Sequence, residues 1–162
     1  MKTLPTYWVV VCVSCITLVM ISIVPNVESR SMREKRSLFQ LCELINFHTN
    51  RSCADYNDYG CFCGYGQEGR KPMDKVDACC KKHDNCYGRA SRHCSWLPQF
   101  LSFEFKCDEN TRKCRCNDNR GTCKREVCEC EVALAECLRR APYINLYYHM
   151  DRSWCTPDTG HF

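Results

Sequence analysis

Cys79-Cys80-Lys81-Lys82-His83-Asp84-Asn85-Cys86-Tyr87 packs three cysteines, a histidine and a carboxylate into nine residues. From Asp74 to Ala90 there is no proline and a single glycine, Gly88, so the composition permits a helix. Asp74, just after Pro72, suits its first turn. At 3.6 residues per turn, Cys79, His83 and Cys86 share one face, while Cys80, Asp84 and Tyr87 line the neighbouring one. The spacing therefore predicts a helix that carries a base, an anion and the cysteines that would anchor them.

Working outward, about Arg125 to Arg140 reads as a second long helix closed by Pro142. Its Cys130 and Cys137 lie seven residues apart, as Cys79 and Cys86 do. Antiparallel packing would match 79 with 137 and 86 with 130, giving two staples two turns apart. Staples of this kind constrain the unfolded chain and typically contribute ~2–4 kcal/mol each. In that register His83 is level with Ala133, two residues from Glu131. The axial offset is ~3 Å at ~1.5 Å per residue, within reach of a glutamate side chain. A His83–Glu131 pair held between two stapled helices is therefore expected.

Before the first of these helices, the stretch from Tyr59 to Gly69 has four glycines, pinned by Cys61 and Cys63. Glycine admits positive φ, so successive carbonyls can turn toward one point. A hard cation such as Ca²⁺ takes six to eight oxygens, and carbonyls plus a nearby carboxylate supply them. Taken alone, such a loop also reads as a plain turn; no Gly-Lys-Ser/Thr follows it, which argues against phosphate cradling.

The N-terminus has a lysine, an apolar run from about Tyr7 to Val24 and a small-residue exit at Val27-Glu28-Ser29. This pattern reads as a secretory signal peptide over 1–29, with a membrane anchor as the alternative. Arg30 to Arg36 then ends in a basic convertase site, a propeptide, so the mature chain is expected to span 37–162 as one domain. Of the 23 Lys/Arg, Lys2, Arg30, Arg33, Lys35 and Arg36 precede Ser37, as do Glu28 and Glu34 of the 19 acids. The mature net charge is then only about +1, against +4 for the whole chain, and no electrostatic case for nucleic acid remains. Cys12 and Cys15 leave with the signal, and the remaining sixteen cysteines suit an oxidised, secreted scaffold better than zinc sites. Asn50-Arg51-Ser52 is a glycosylation sequon.

Ser37 to about Phe47 predicts a short amphipathic helix, with Ser37 as cap and Leu38, Leu41 and Ile45 on one face. Asn50 to Asp58 is a polar connection. Trp96, Leu97, Phe100, Leu101, Phe103 and Phe105 form an apolar cluster that reads equally as core or as a surface patch. Phe103–Lys106 and Lys113–Cys116, around Asp108-Glu109-Asn110, predict a small hairpin. His48, His93, His149 and His161 read as ordinary surface or packing residues.

With these motifs in view, the chain resembles the secreted, calcium-dependent phospholipase A2 family over essentially all of Ser37 to Cys155. The resemblance rests on Tyr59-Gly-Cys-Phe-Cys-Gly-x-Gly66, Pro72-x-Asp74 and Asp77-x-Cys79-Cys80-x-x-His83-Asp84-x-Cys86-Tyr87. Cys128-x-Cys130 with Cys137, and Ala141-Pro142-Tyr143, complete it. The propeptide and Cys155 are similar to the branch holding pancreatic and elapid enzymes. It implies a mainly α, disulfide-rich fold: an N-terminal helix, a calcium loop, two long antiparallel stapled helices and a small two-stranded β-wing. Disulfides are implied for Cys63–Cys80, Cys79–Cys137, Cys86–Cys130, Cys94–Cys123, Cys114–Cys128, Cys61–Cys155 and Cys53–Cys107. Cys42 and Cys116 are left over, with an eighth bridge between them.

The same resemblance implies that the carbonyls of Phe62, Gly64 and Gly66, with the Asp84 carboxylate, hold Ca²⁺. It makes His83 the general base, oriented by Glu131 with Tyr87 as a supporting hydrogen bond, and gives Leu38, Leu41 and Ile45 an acyl channel. The implied reaction is hydrolysis of the sn-2 ester of glycerophospholipids at an aggregated or membrane surface, outside the cell, with a cell-surface receptor as a further partner. Four features depart from the family's pattern: Glu131 stands where it has Asp, Phe103 where a second tyrosine supports that Asp, Gln67 where it has Gly, and one residue is added between Gly69 and Pro72. They favour the alternative, a weakly active or inactive relative acting by binding as a membrane-disrupting toxin, a receptor ligand or a calcium-binding matrix protein.

Overall fold

The computed structural model describes residues 26–92, 94 and 100–156, with side chains from Ser37 onward. Residues 1–25 of the signal-peptide reading over 1–29, and the readings of His93, Trp96, Leu97 and His161, fall outside the described residues. Among the described residues three helices dominate: α1 (Asn26–Thr49), α2 (Lys75–Ala90) and α3 (Cys123–Arg140). One antiparallel hairpin joins β1 (Phe105–Asp108) to β2 (Lys113–Cys116). The mainly helical, disulfide-rich architecture with a two-stranded wing is the one expected.

The helices begin where their capping residues stand. Asp74 accepts from Asp77 N at 2.9 Å to open α2. Thr122 accepts from Arg125 N to open α3, whose first turn carries Glu126 and whose last carries Arg139 and Arg140. Those charges complement the helix dipole at both ends. Val127, Leu134, Ala135 and Leu138 form the buried face of α3 and meet Leu44 and Ile45 of α1 and Val76 of α2. Each such aliphatic side chain contributes about 1.5–3 kcal/mol on burial.

α1 starts earlier than the sequence suggested. Ser37 is not its cap but an interior, buried residue. The preceding Arg30 to Arg36 holds no glycine or proline and is rich in Arg, Lys, Met and Glu, all of which propagate a helix readily.

Cys79–Cys137 and Cys86–Cys130 join α2 to α3 with Cα separations of 5.8 Å each. Cys61–Cys155, Cys63–Cys80 and Cys94–Cys123 also pair as expected. Three expected pairs are corrected. Cys107 bonds Cys114, not Cys53, and Cys128 bonds Cys116, not Cys114. The cause is strand register: the β1–β2 ladder sets Cys107 directly opposite Cys114, with Cα atoms 4.0 Å apart. The hairpin thus closes its own bridge, leaving Cys116 at the end of β2 for α3. Cys53 then bonds Cys42 across the short turn after α1, so the expected Cys42–Cys116 pair does not exist either.

The segment after α3 folds back over the glycine-rich loop. Gly60 N donates to Tyr147 O, His149 N donates to Asp58 O, and Tyr59 bridges Tyr148. A short 3-10 turn, Arg152–Cys155, capped by Asp151, delivers Cys155 to Cys61. Within the 94–107 cluster, Phe103 is buried, and Leu101 and Phe105 pack against the core. Those three are core residues.

Candidate active site

Asp77 fastens the glycine-rich loop to α2. Its carboxylate is fully buried and accepts from Cys61 N at 2.9 Å, Phe62 N at 2.7 Å and Met73 N at 2.8 Å. Gly60 is required there, because its φ is +62° and a Cβ would stand 2.4 Å from the Asp77 carboxyl carbon. Three residues further along α2, Cys80 bonds Cys63 of the loop. Asp77, Cys80 and Asp84 follow i, i+3, i+7, so the face tied to Phe62 and Cys63 is the one that carries Asp84.

His83 and Glu131 meet as the helix register predicts. His83 Nε2 lies 3.0 Å from Glu131 Oε2, and Tyr87 donates its hydroxyl to the other carboxylate oxygen. Glu131 is 2% exposed. An ionised carboxylate can only accept, so in the neutral ring Nε2 carries the proton and Nδ1 keeps its lone pair. Burial alone would push the His83 pKa down, but the charge and hydrogen bond of Glu131, with Asp84 alongside, leave it raised above the ordinary histidine value. Burial and the negative charge of Glu131 push the Tyr87 phenol up, so it stays a donor. The longer acid therefore reaches the imidazole, and Phe103, lacking a hydroxyl, leaves Tyr87 as the tyrosine partner of Glu131.

The oxygen set expected for Ca²⁺ fits a hard cation. The carbonyls of Phe62 and Gly66 accept no hydrogen bond from the described residues, and Gly64 O receives only a long contact from Gln67 N at 3.3 Å. Gly64 and Gly66 have φ of +144° and +69°. Asp84 is solvent-accessible, and burial of part of its carboxyl and the nearby Asp77 charge raise its pKa, with His83 opposing. An anion destabilised in this way gains from a neighbouring cation. Among the described residues no three His, Cys, Asp or Glu side chains converge on one point, so a cation here would depend on backbone oxygens.

Gln67 is held by side chains on either side of its amide. Its amide donates to Asp58 Oδ1 at 2.7 Å and accepts from Arg152 Nη1 at 3.0 Å. Sequence reasoning singled out neither Asp58 nor Arg152, since nothing local marks them. Asp77 was legible only as one position of a motif.

The three apolar positions of α1 differ in environment. Ile45 is 3% exposed, Leu41 half-buried, and Leu38 64% exposed beside Phe39. Asn50 is exposed with φ +55°, and its side-chain oxygen accepts weakly from Arg112. His48 is buried and His149 pairs with Asp58 at 2.6 Å. No helix among the described residues is long and apolar enough to cross a membrane.

The sequence profile of the family described as Phospholipase A2 matches residues 38–148. The chain is 43% identical over 116 residues to basic phospholipase A2 nigexine of Naja pallida, covering 71% of this chain and 95% of that protein. It is 37% identical over 115 residues to basic phospholipase A2 nigroxin A of Micrurus nigrocinctus, with coverages of 71% and 95%. A basic phospholipase A2 of Micrurus corallinus is 35% identical over 139 residues, covering 86% of this chain and 90% of that protein.

Proposed function

The chain belongs to the phospholipase A2 family, and from that premise we propose that it is a secreted, Ca²⁺-dependent phospholipase A2 that hydrolyses the sn-2 ester of glycerophospholipids to a fatty acid and a lysophospholipid. The observation that carries the reading is the 3.0 Å contact between His83 Nε2 and the buried Glu131, which makes Nδ1 the basic nitrogen of the neutral ring. Residues 1–29 serve as signal peptide, 30–36 as propeptide and 37–162 as the working domain, delivered outside the cell.

His83 Nδ1 removes a proton from a water molecule as the oxygen attacks the ester carbonyl carbon, and later returns that proton to the departing glycerol oxygen. Glu131 holds the ring in its orientation and stabilises the imidazolium that forms between these two transfers. Tyr87 in turn fixes Glu131. The carbonyls of Phe62, Gly64 and Gly66 and the carboxylate of Asp84 are the groups that would hold Ca²⁺. When bound, that ion supplies electrostatic stabilisation for the carbonyl oxygen and the substrate phosphate. Leu38, Leu41 and Ile45 guide the acyl chain, with Leu38 and Phe39 at the exposed end, where aggregated lipid would meet the protein.

A second reading, action by binding with little turnover, draws on Phe103, which leaves Glu131 one hydroxyl partner fewer than the family's pattern. One assay separates the two: fatty acid release from mixed phospholipid vesicles by protein 37–162, with Ca²⁺ and again with chelator, beside His83→Gln. Calcium-dependent release abolished in His83→Gln supports the enzyme. Absence of release from folded, calcium-binding protein supports the binding reading.

A further inference from the structure

Arg152 stands 85 residues beyond Gln67 in sequence, yet its guanidinium sits against the glycine-rich loop and takes four oxygens there. Nη1 donates to Gly60 O at 2.8 Å and Gln67 Oε1 at 3.0 Å, and Nη2 donates to Glu68 O at 3.2 Å and Cys61 O at 3.4 Å. The carbonyls it engages, those of residues 60, 61 and 68, are not those of the expected calcium set, residues 62, 64 and 66. Two groups of carbonyls in one short loop are thus divided: a cation built into the protein holds one group, and the other is left for a cation from solution.

Gln67 connects this clamp to the loop's interior. Its side chain lies so close over Gly64 that a Cβ there would stand 2.9 Å from the Gln67 amide carbon. Its Nε2 reaches Asp58, which His149 holds from the other side at 2.6 Å. A loop with three glycines at positive φ loses much backbone entropy when it is ordered. Contacts that order it before the metal arrives relieve the binding step of that cost.

We infer that Arg152, acting with Gln67, is a positioning residue that preorganises the calcium loop from behind; the inference rests on the calcium reading given above. Arg152 acts through loop oxygens outside the set expected for the metal. It fixes the backbone whose other carbonyls, those of residues 62, 64 and 66, are the ones expected to hold the ion.

The test compares wild type, Arg152→Gln, Gln67→Met and the double variant by calcium titration calorimetry and by amide hydrogen exchange in calcium-free protein. Arg152→Gln is expected to weaken calcium binding about tenfold through loss of charge-assisted hydrogen bonds. Gln67→Met should weaken it less, and the double variant should be no weaker than Arg152→Gln alone. In calcium-free Arg152→Gln, loop amides 60–69 should exchange faster while those of α3 keep their protection. A general structural role would loosen both regions together.

Wild-type affinity and unchanged loop exchange in both single variants would overturn the inference, as would faster exchange throughout the molecule. If Arg152→Gln does not fold, Gln67→Met carries the test alone, since it keeps Cys61–Cys155 and the backbone contacts of Arg152. If wild type takes up no calcium, the metal reading fails, and loop exchange by itself then decides whether Arg152 orders the loop.

Discussion

Glu131 Oε2 lies 3.0 Å from His83 Nε2 while its other oxygen accepts the hydroxyl of Tyr87, so one carboxylate from α3 closes on two residues a single turn apart on α2. The His83 and Tyr87 rings meet edge to face, with centroids 4.5 Å apart. Length matters in such an arrangement, because both contacts are made by the two oxygens of one glutamate carboxylate. Glu131→Asp withdraws the carboxylate by one methylene, so turnover on phospholipid vesicles is expected to fall about 10²-fold, not to rise. An Asp variant as active as wild type would show that His83 does not depend on this contact.

Asp77→Asn addresses the joint between loop and helix. The asparagine amide places an N–H where Cys61, Phe62 and Met73 need acceptors, in a site with no exposure. A loss of about 3 kcal/mol is expected from the buried charged hydrogen bonds, read as a lower denaturant midpoint at unchanged slope. Equal midpoints would mean that the disulfide Cys63–Cys80 alone suffices to hold the loop.

The corrected bridges predict unequal costs of removal. Cys107–Cys114 closes a separation of 7 residues and Cys79–Cys137 one of 58. On the chain-entropy relation, paired replacement by alanine should cost about 2 kcal/mol for the first and about 4 kcal/mol for the second. Non-reducing peptide mapping tests the pairing directly: a linkage of Cys53 to Cys107 in the folded protein would contradict the hairpin register.

His48 predicts a pH dependence. Its ring is 3% exposed, and neither nitrogen has a hydrogen-bond partner among the described residues. Burial lowers its pKa, with Glu136 opposing and Arg139 and Arg112 adding to the fall, while Phe47 packs on the ring edge. The folded protein therefore binds a proton less readily than the unfolded chain, whose histidines titrate near ~6.5. The associated stability is complete above that value and is lost as pH falls from it toward the lower folded pKa. His48→Leu should flatten this part of the stability curve, leaving a smaller difference in Tm between neutral and mildly acidic buffer than wild type has. Parallel curves for the two proteins would exclude His48 as the source.

Much of the site was legible because helices are periodic. The seven-residue spacing shared by Cys79 and Cys86 and by Cys130 and Cys137 implies both staples and brings Glu131 within side-chain reach of His83. That reasoning needs only a rise per residue and a facing partner. Legibility failed where a contact had no period behind it. The register of β1 on β2 was not readable from six cysteines near one another, and a single step in register exchanges every partner across the ladder. The start of α1 was missed for a different reason. Ser37 is a good cap in isolation, but the residues before it are equally good helix formers, and a side chain caps a helix only where the chain leaves it.

The amino-acid sequence by itself determined the elements and the chemistry they carry: two stapled helices, a glycine-rich loop able to turn its carbonyls inward, and a histidine opposite an acid. These are local properties, set by spacing and backbone freedom. Only the tertiary structure decided which loop oxygens are engaged, where the loop is fastened and how the hairpin cysteines pair: Arg152 reaches Gly60 O across 92 residues, Asp77 accepts from Phe62 N across 15, and Cys107 finds Cys114 in place of Cys53. Such contacts form after distant segments have docked, and the closure entropy of a long loop varies too slowly with its length to single out one partner over another. The choice falls to packing and strand register, which exist only in the folded molecule.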